Sequence, residues 1–417
     1  MGEPKNILFL VNRNIYYRHF GPFIRQLQKK KHKIHLLHDY SQTRAGVKSG
    51  YFPALSSVPQ FEGEISFIGL YHSSGDIIEF VKSHRIEFIF SLNSYYHHKI
   101  QIKEIRPCKW VVLQHWADNF IHGFEDVFGC DHFLSYSLYW WDSFLTSKYS
   151  STELETQVLP KVHHIGHPLN FLINELDTCS IKKKYNLHPA KGVLTYMPIG
   201  TPHMYLFQSL IQRLWLVYHY SSLPKKNPLE VILSILSQCI FRSAKTAVKE
   251  RDIVLALRKF CDKNALTLVV KSRFKTPLSE FIIRHADAVL YDETFYPPTI
   301  SEVLFVSDIA VSHFSMANFE SIAMKSFAIN INLEPVFEPF SGLLTDCFKN
   351  EWINDFNTEG MSSIINADDF IRDFGDTPLT AFKFEDRNYN YFMTKYFTDV
   401  DSAIFEKSID TILDGNP

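Results

Sequence analysis

Ser307–Asn332 reads SDIAVSHFSMANFESIAMKSFAININ, and its pattern decides the fold. Ile309–Val311 is a short apolar run suited to a buried parallel strand, and His313-Phe314-Ser315 is a polar turn. Asn318–Met324 has helical character, and Phe327–Ile331 supplies the next strand. In open α/β sheets ligands bind outside the carboxyl ends of the strands. The turn therefore places Ser312, His313 and Ser315 where a ligand binds. Backbone N–H groups of the helix start are available to an anion, and Glu320 follows about one turn inside the helix.

The same alternation runs along the chain. Ile7–Val11, Ile34–Leu37, Phe88–Phe90 and Trp110–Leu113 read as strands, with helices over Phe20–Lys30 and Ile77–His84 between them. That order predicts βαβ units and a parallel sheet. A second alternating block follows Gly166-His167-Pro168, with strands near Val193–Tyr196, Thr267–Val270, Ala288–Leu290, Ile309–Val311 and Ala328–Ile331. The expected fold is α/β, with two Rossmann-like doubly wound domains facing a central cleft. Residues 1–165 form the first domain and 166–385 the second, which carries a helical insertion over 203–251. A C-terminal helical segment, 386–417, packs back on the first domain.

Composition agrees with this class. A chain of 417 residues exceeds one ordinary core and divides into domains. It is 46% hydrophobic and 21% charged, which excludes disordered and collagen-like sequences. A net charge of -2 gives no overall basic field for nucleic acid. Cys108, Cys130, Cys179, Cys239, Cys261 and Cys347 lie far apart without a CxxC pair, as free thiols of a reducing compartment do. The N-terminal apolar run reads as a first strand, too short for a secretory signal, and no stretch has the length of a membrane span. A cytoplasmic location is expected.

Two further elements carry chemistry. Val269-Val270-Lys271-Ser272-Arg273-Phe274-Lys275-Thr276-Pro277 delivers Lys271, Arg273 and Lys275 to the end of a buried strand, on one side if strand geometry persists. Such a set suits a diphosphate, with Arg as a bidentate clamp and Lys as a point charge; a solvated basic turn is the bland alternative. Trp110-Val111-Val112-Leu113-Gln114-His115-Trp116-Ala117-Asp118 ends a strand in a loop with an imidazole. His115 can take a hydroxyl proton near neutral pH, with Asp118 orienting it or acting as the base itself. His97 and His98, beside Asn93-Ser94-Tyr95-Tyr96, are acceptor-binding candidates through aromatic stacking. His163, His164 and His167 lack a carboxylate or cysteine at ligand spacing. The sole DxD, Asp399-Val400-Asp401, does not follow a central strand. No metal or cofactor is expected.

The segment Ser307–Asn332 resembles the donor-site element of GT-B glycosyltransferases and their relatives, the CDP-glycerol glycerophosphotransferases and the non-hydrolysing UDP-GlcNAc 2-epimerases. The resemblance implies that Ser312 or Ser315 meets the donor diphosphate and Glu320 the nucleotide ribose. Phe327 stands where the family usually has proline, and His-Phe-Ser replaces a glycine-rich turn. The Lys271 loop is similar to the phosphate-contacting loop of these families. Gln114-His115-Trp116-Ala117 corresponds to the loop that supplies their catalytic base, and Gly166-His167-Pro168 to their interdomain segment. The implied function is a metal-independent, inverting glycosyltransferase of bacterial surface polysaccharide synthesis, such as capsule or lipopolysaccharide. Its partners are a nucleotide-sugar donor and a glycan or glycolipid acceptor. The alternatives are a glycerol-phosphate-type polyol-phosphate transferase, a sugar-nucleotide 2-epimerase and a non-catalytic carbohydrate-binding protein of the same fold.

Within 203–251, Phe207, Leu210, Ile211, Leu214, Trp215 and Tyr218 recur at helical spacing. Seven Lys and Arg residues stand there against only Glu230 and Glu250. Peripheral contact with the cytoplasmic face of the inner membrane is one reading; packing on its own domain or on a second subunit is the other.

Overall fold

The computed structural model describes residues 3–12, 16–40, 59, 61, 63–114, 127–137, 151–198, 243–272, 278–291, 296–313, 315, 317–332, 356–398 and 402–414. The chain divides into two compact units. One comprises Met1–Leu176, Glu293–Thr299 and Asn390–Pro417, and the other Asp177–Asp292 and Ile300–Tyr389.

The first unit is built on seven parallel strands, β1 (Asn6–Val11), β2 (Lys33–Asp39), β3 (Phe67–Tyr71), β4 (Phe88–Ser91), β5 (Lys109–Leu113), β6 (His132–Ser135) and β7 (Val162–His164). Their spatial order is β3-β2-β1-β4-β5-β6-β7. Helices α1 (Tyr17–Lys29), α2 (Ser74–Ser83) and α3 (Leu169–Ile173) belong to this unit. The apolar runs of β1 and β5 are buried almost throughout, as expected of parallel strands covered on both faces. Helix α2 starts where Ser73 and Asp76 form a reciprocal capping box, which satisfies two of its orphan amides.

The second unit repeats the scheme with six strands, β8 (Gly192–Tyr196), β9 (Leu266–Lys271), β10 (Ala288–Leu290), β11 (Ile309–Ser312), β12 (Phe327–Asn332) and β13 (Ser362–Asn366). Their order is β10-β9-β8-β11-β12-β13. Its helices are α4 (Thr178–Lys184), α5 (Ser243–Asn264), α6 (Glu280–His285), α7 (Thr299–Phe305), α8 (Ala317–Ala323) and α9 (Ala367–Asp373). Two more, α10 (Tyr389–Tyr396) and α11 (Ser402–Asp414), complete the described chain. Alternation along the strands sends Leu194, Tyr196, Val270, Val311 and Ile331 into one core with Ile253, Val254, Leu257 and Phe260 of α5. Thr195, Lys271, Ser312 and Asn330 therefore point to the opposite face.

Both sheets reverse strand order once, between β1 and β4 and between β8 and β11, and ligands of doubly wound proteins bind in the crevice at such a switch point. The expected strands fall inside the observed ones; β3, β6, β7 and β13 are additional. Gly166-His167-Pro168 lies in the first unit, where the His167 amide donates to the Phe397 carbonyl at 2.9 Å. In the same unit Phe405 of α11 packs on Phe23 of α1 and Phe171 of α3, at ring separations of 5.0 and 4.1 Å. Gly21 admits the Tyr296 ring, because a Cβ there would sit 2.0 Å from Tyr296 Cδ2. The residues proposed for membrane contact, 203–242, lie outside the described residues, and 243–251 opens α5. No described helix is long and apolar enough to cross a membrane.

The amino-terminal edges of both sheets follow one rule. A carboxylate just before a strand accepts the first amides of its neighbour: Glu87 takes Asn6 N–H at 3.2 Å, Asp131 takes Trp110 N–H at 2.8 Å, Asp287 takes Leu268 N–H at 2.7 Å and Asp308 takes Val193 N–H at 2.8 Å. The aspartate that precedes β11 in the sequence motif is thus a strand clamp, one strand length away from the carboxyl edge. Gly192 makes room for it, since a Cβ would lie 2.5 Å from Asp308 Oδ2. Gly192→Ala is expected to dislodge this carboxylate and to destabilise the second unit by about 1–3 kcal/mol, the scale of overpacking. In an Asp308→Ala background the same change should be less damaging. Urea unfolding of the four proteins of the cycle measures this coupling, and strict additivity would dismiss the clamp.

Candidate functional site

Along the carboxyl edge of the second sheet the last strand residues run Leu290, Lys271, Tyr196, Ser312, Asn332 and Asn366. Tyr196 and Ser312 flank the switch point, and Lys271 is one strand further on. Lys271 and Ser272 are buried, at 7% and 5% exposure, and β9 ends at Lys271. Strand alternation is therefore not established for Arg273 and Lys275, which lie outside the described residues.

On the α8 face a directed chain of hydrogen bonds crosses the edge. Ser312 Oγ donates to Asn318 Oδ1 at 2.8 Å, Asn318 Nδ2 donates to Asn330 Oδ1, and Asn330 Nδ2 donates to the Phe356 carbonyl at 3.3 Å. Ser312 is fully buried, so its hydroxyl serves this chain. Ser315 is half-buried; its Oγ accepts the Ala317 amide at 3.2 Å and its carbonyl the Asn318 amide at 2.9 Å. Glu320 is buried within α8, at 3% exposure.

The α5 face carries a second chain. His313 Nε2 lies 3.1 Å from Tyr196 Oη, and its Nδ1 lies 3.3 Å from the Ile331 carbonyl. Tyr196 Oη is also 3.4 Å from Glu250 Oε1. All three side chains are buried, His313 and Glu250 at 8% exposure and Tyr196 at 0%. Burial holds the Glu250 carboxyl up at about 8, against the opposing hydrogen bond from Tyr196. Burial also lowers His313 to about 4, in spite of its bond to Ile331. Both groups avoid charge in a low-dielectric interior. Glu250 had a sequence signal: it stands three, four and seven residues before Ile253, Val254 and Leu257, on the apolar face of the helix. Tyr196, Asn318 and Asn330 had none beyond their place at a strand end, in a helix start and within a strand.

In the first unit the carboxyl edge is polar as well. Asn12 Nδ2 donates to Asp39 Oδ2 at 3.0 Å and to Tyr71 Oη at 3.1 Å, while Asn12 Oδ1 is buried without a hydrogen-bond partner among the described residues. Gln114 Oε1 accepts from Ser135 Oγ and from the Tyr136 amide, each at 3.1 Å, and its buried Nε2 has no partner among the described residues. His115 and Asp118, the candidates for the base, lie outside the described residues. His97 is exposed and stands edge-on to His98, their rings 5.5 Å apart. Burial lowers His98 to about 3, and its ring lies between those of Tyr71 and Trp110. Asn12, Asp39, Tyr71 and Gln114 were not singled out in the sequence; each is the last residue of a strand or the one just beyond it.

No protein-family model matches the sequence, and no curated protein matches it. Solved structures match it by fold. The wall teichoic acid polymerase TagF aligns at TM-score 0.56 and 12% identity, over 99% of this chain and 89% of that one. MnaA of S. aureus with UDP aligns at 0.52 and 10%, over 98% and 96%. UDP-GlcNAc 2-epimerase of Neisseria meningitidis bound to UDP-GlcNAc aligns at 0.51 and 9%, over 98% and 100%. At these identities the likeness concerns the fold, which is GT-B.

The two titrations on the α5 face have opposite consequences for stability. Glu250 holds its proton in the folded state up to about pH 8 but only to its ordinary 4.5 when unfolded, so its contribution is lost as pH rises across that interval. His313 binds its proton only below about 4 when folded and below 6.5 when unfolded, so its contribution grows as pH rises from 4 to 6.5. The two slopes oppose each other up to 6.5, and the loss from Glu250 stands alone from 6.5 to 8. Glu250→Gln, which keeps a donor for Tyr196, should gain on the wild type as pH rises from 6.5 to 8, at no more than about 1.4 kcal/mol per pH unit. Urea unfolding of both proteins across pH 5–9 reads this difference, and parallel pH profiles would show that Glu250 is ionised in the fold.

Proposed function

We propose that this protein is a nucleotide-sugar-dependent glycosyltransferase that extends a glycan or glycolipid of a bacterial surface polysaccharide by direct, inverting displacement without a metal ion. The observation that carries the reading is the carboxyl edge of the second sheet. A buried lysine, Lys271, and the 312–315 turn stand on either side of β8 at a doubly wound switch point, where such folds hold nucleotides. The solved structures of similar fold include one with UDP, one with UDP-GlcNAc and one of TagF soaked with CDPG.

In this reading the departing diphosphate is held by Lys271, Arg273 and Lys275. The amides and the Ser315 hydroxyl of the turn add neutral donors where charge develops. Ser312 acts through the shape of the turn, since its own hydroxyl is committed to Asn318. Glu320 is assigned to the ribose side. The acceptor belongs to the first unit, with His97 and His98 on the loop after β4. His115, on the loop after β5, removes the acceptor proton, with Asp118 orienting it or acting in its place. Transfer of a polyol phosphate from a cytidine donor is the second reading, favoured by the likeness to TagF.

Thermal denaturation with UDP, CDP, CMP and GDP tests the donor assignment, because a ligand at about 100 times its Kd adds about 2.7 kcal/mol to the stability of the native state. One nucleotide should raise the melting temperature, and Lys271→Met, which keeps the aliphatic stem, should weaken its binding by on the order of 1.5–3 kcal/mol. A flat response to all four nucleotides would sink the donor reading. On the acceptor side His115→Ala should lower turnover about 10²–10⁴-fold with donor affinity intact. If Asp118→Ala abolishes turnover and His115→Ala does not, Asp118 is the base.

A further inference from the structure

Beside the histidines assigned to the acceptor, the carboxyl edge of the first sheet holds buried polar atoms that the fold leaves unmet. Phe9 of β1 packs on Phe20 of α1, and the strand register carries that face through Phe90 to Val111. Asn12, Trp110 and Gln114 lie an odd number of residues from these positions and so on the other face. Asp39 and Tyr71, to which Asn12 is bonded, share it. His98 joins them through ring contacts with Tyr71 and Trp110, at 6.1 and 5.5 Å.

Hydrogen counts identify the unmet atoms. Asn12 Nδ2 spends both its hydrogens, on Asp39 and on Tyr71, so Oδ1 is the unmet end of a side chain that is 7% exposed. The Tyr136 amide only donates, which fixes Gln114 Oε1 as the accepting end. Its Nε2 is therefore the unmet end, at 1% exposure. His98 Nε2 is buried as well, and none of these atoms has a partner among the described residues. Burial holds the His98 imidazole neutral, down at about 3, so Nε2 donates or accepts according to the tautomer. A buried donor or acceptor left without a partner is unfavourable. Such atoms gathered on one face, at the end of the strands where doubly wound folds bind ligands, mark a place that a ligand completes.

The polarity of the set selects the ligand. Asn12 Oδ1 needs a donor and Gln114 Nε2 needs acceptors, and the strands that carry them are two spacings apart, roughly 10 Å. A hydroxyl supplies both functions, and a chain or ring of hydroxyls supplies them at several points. Phosphate or carboxylate only accepts, so it would leave Asn12 Oδ1 unmet and stand beside the acidic side chain of Asp39. An ammonium only donates and would leave Gln114 Nε2 unmet. No lysine or arginine belongs to the set.

We propose that Asn12, His98 and Gln114 form a subsite in the first unit for an uncharged polyhydroxylated group, a sugar ring or a polyol chain. As part of the acceptor site, a role that rests on the reading above, it selects acceptors whose reacting end carries neither phosphate nor carboxylate.

Saturation-transfer NMR tests the subsite with glycerol, ribitol and the methyl glycosides of glucose, galactose and N-acetylglucosamine as probes, each with and without UDP, CDP, CMP or GDP. At least one probe should bind the wild type, and its identity tells a polyol chain from a sugar ring. Inorganic phosphate at equal concentration should not displace it. His98→Phe keeps a ring between Tyr71 and Trp110 and removes the nitrogens. Gln114→Glu keeps the oxygen that accepts from Tyr136 and removes the amide donor. Each should weaken the bound probe about tenfold, the scale of one lost hydrogen bond. His98→Phe should do so without lowering the thermal unfolding midpoint, because Nε2 holds nothing in the empty fold. Failure of every probe to bind, or displacement by phosphate, would overturn the subsite and assign the unmet atoms to internal water. Wild-type affinity in both variants would overturn it too, since the probe would then sit elsewhere. A lowered midpoint in His98→Phe would overturn the assignment of that nitrogen, and Gln114→Glu would decide the rest. Nucleotides give their own saturation signals, so the two readings fail separately. A bound probe with no bound nucleotide sinks the donor reading and leaves the subsite standing, and a bound nucleotide with no bound probe does the reverse.

Discussion

The pairing of β8 with β11 is the constraint on which the second unit depends. These two strands join halves of the sheet that wind in opposite directions, and both ends of the pair are held by side chains. At the amino end Asp308 accepts the Val193 amide; at the carboxyl end Tyr196 Oη meets His313 Nε2, with the Met197 amide donating to the Val311 carbonyl between them at 2.8 Å. A parallel pair separated by more than a hundred residues of sequence bears a large closure entropy. Fixing it at both ends sets the register, and with the register the position of the turn that follows β11.

The two edges of each sheet differ in chemistry for a physical reason. At the amino edges Glu87, Asp131, Asp287 and Asp308 take up amides of the neighbouring strands. At the carboxyl edges the polar groups are buried side chains rather than surface ions: Asp39, Asn12, Gln114 and Ser135 in the first unit, and Lys271, Ser312, His313 and Asn330 in the second. Burying such groups is unfavourable unless each is paired, and most are paired in directed chains. The amide atoms of Asn12 and Gln114 that lack a partner among the described residues are exceptions, and both stand at the edge where doubly wound folds bind ligands.

The sequence made the sheet cores legible because parallel strands buried on both faces are nearly continuous apolar runs. It did not reveal β3, β6, β7 and β13, for which the same physics gives a weaker signal. Phe67 and Ile68 of β3 are exposed at the sheet margin, and the three residues of β7 are all half-buried. Within the site the partners were not legible: the hydroxyl of Ser312, a turn serine, donates to Asn318. At His313 the imidazole is enclosed between Tyr196 and Ile331 rather than open to a ligand. Glu250 was counted only as a charge in a basic segment, although its spacing from Ile253 and Leu257 marks it as a core residue. The distinction between a ligand-binding side chain and one that holds the binding turn in place is a matter of partners, and partners across a sheet are not written in local sequence.

Glu250 also explains why the α5 face tolerates a carboxyl and an imidazole at all. As an isolated charge either would be expelled or neutralised, and as a fixed ion pair they would bear the full desolvation of two charges. Joined through a phenol, with the imidazole also against the Ile331 carbonyl, both groups keep hydrogen-bond partners. A hydrophobic trio of the same volume would pack as well, but it would not tie the carboxyl ends of β8 and β11 to α5 through directed bonds.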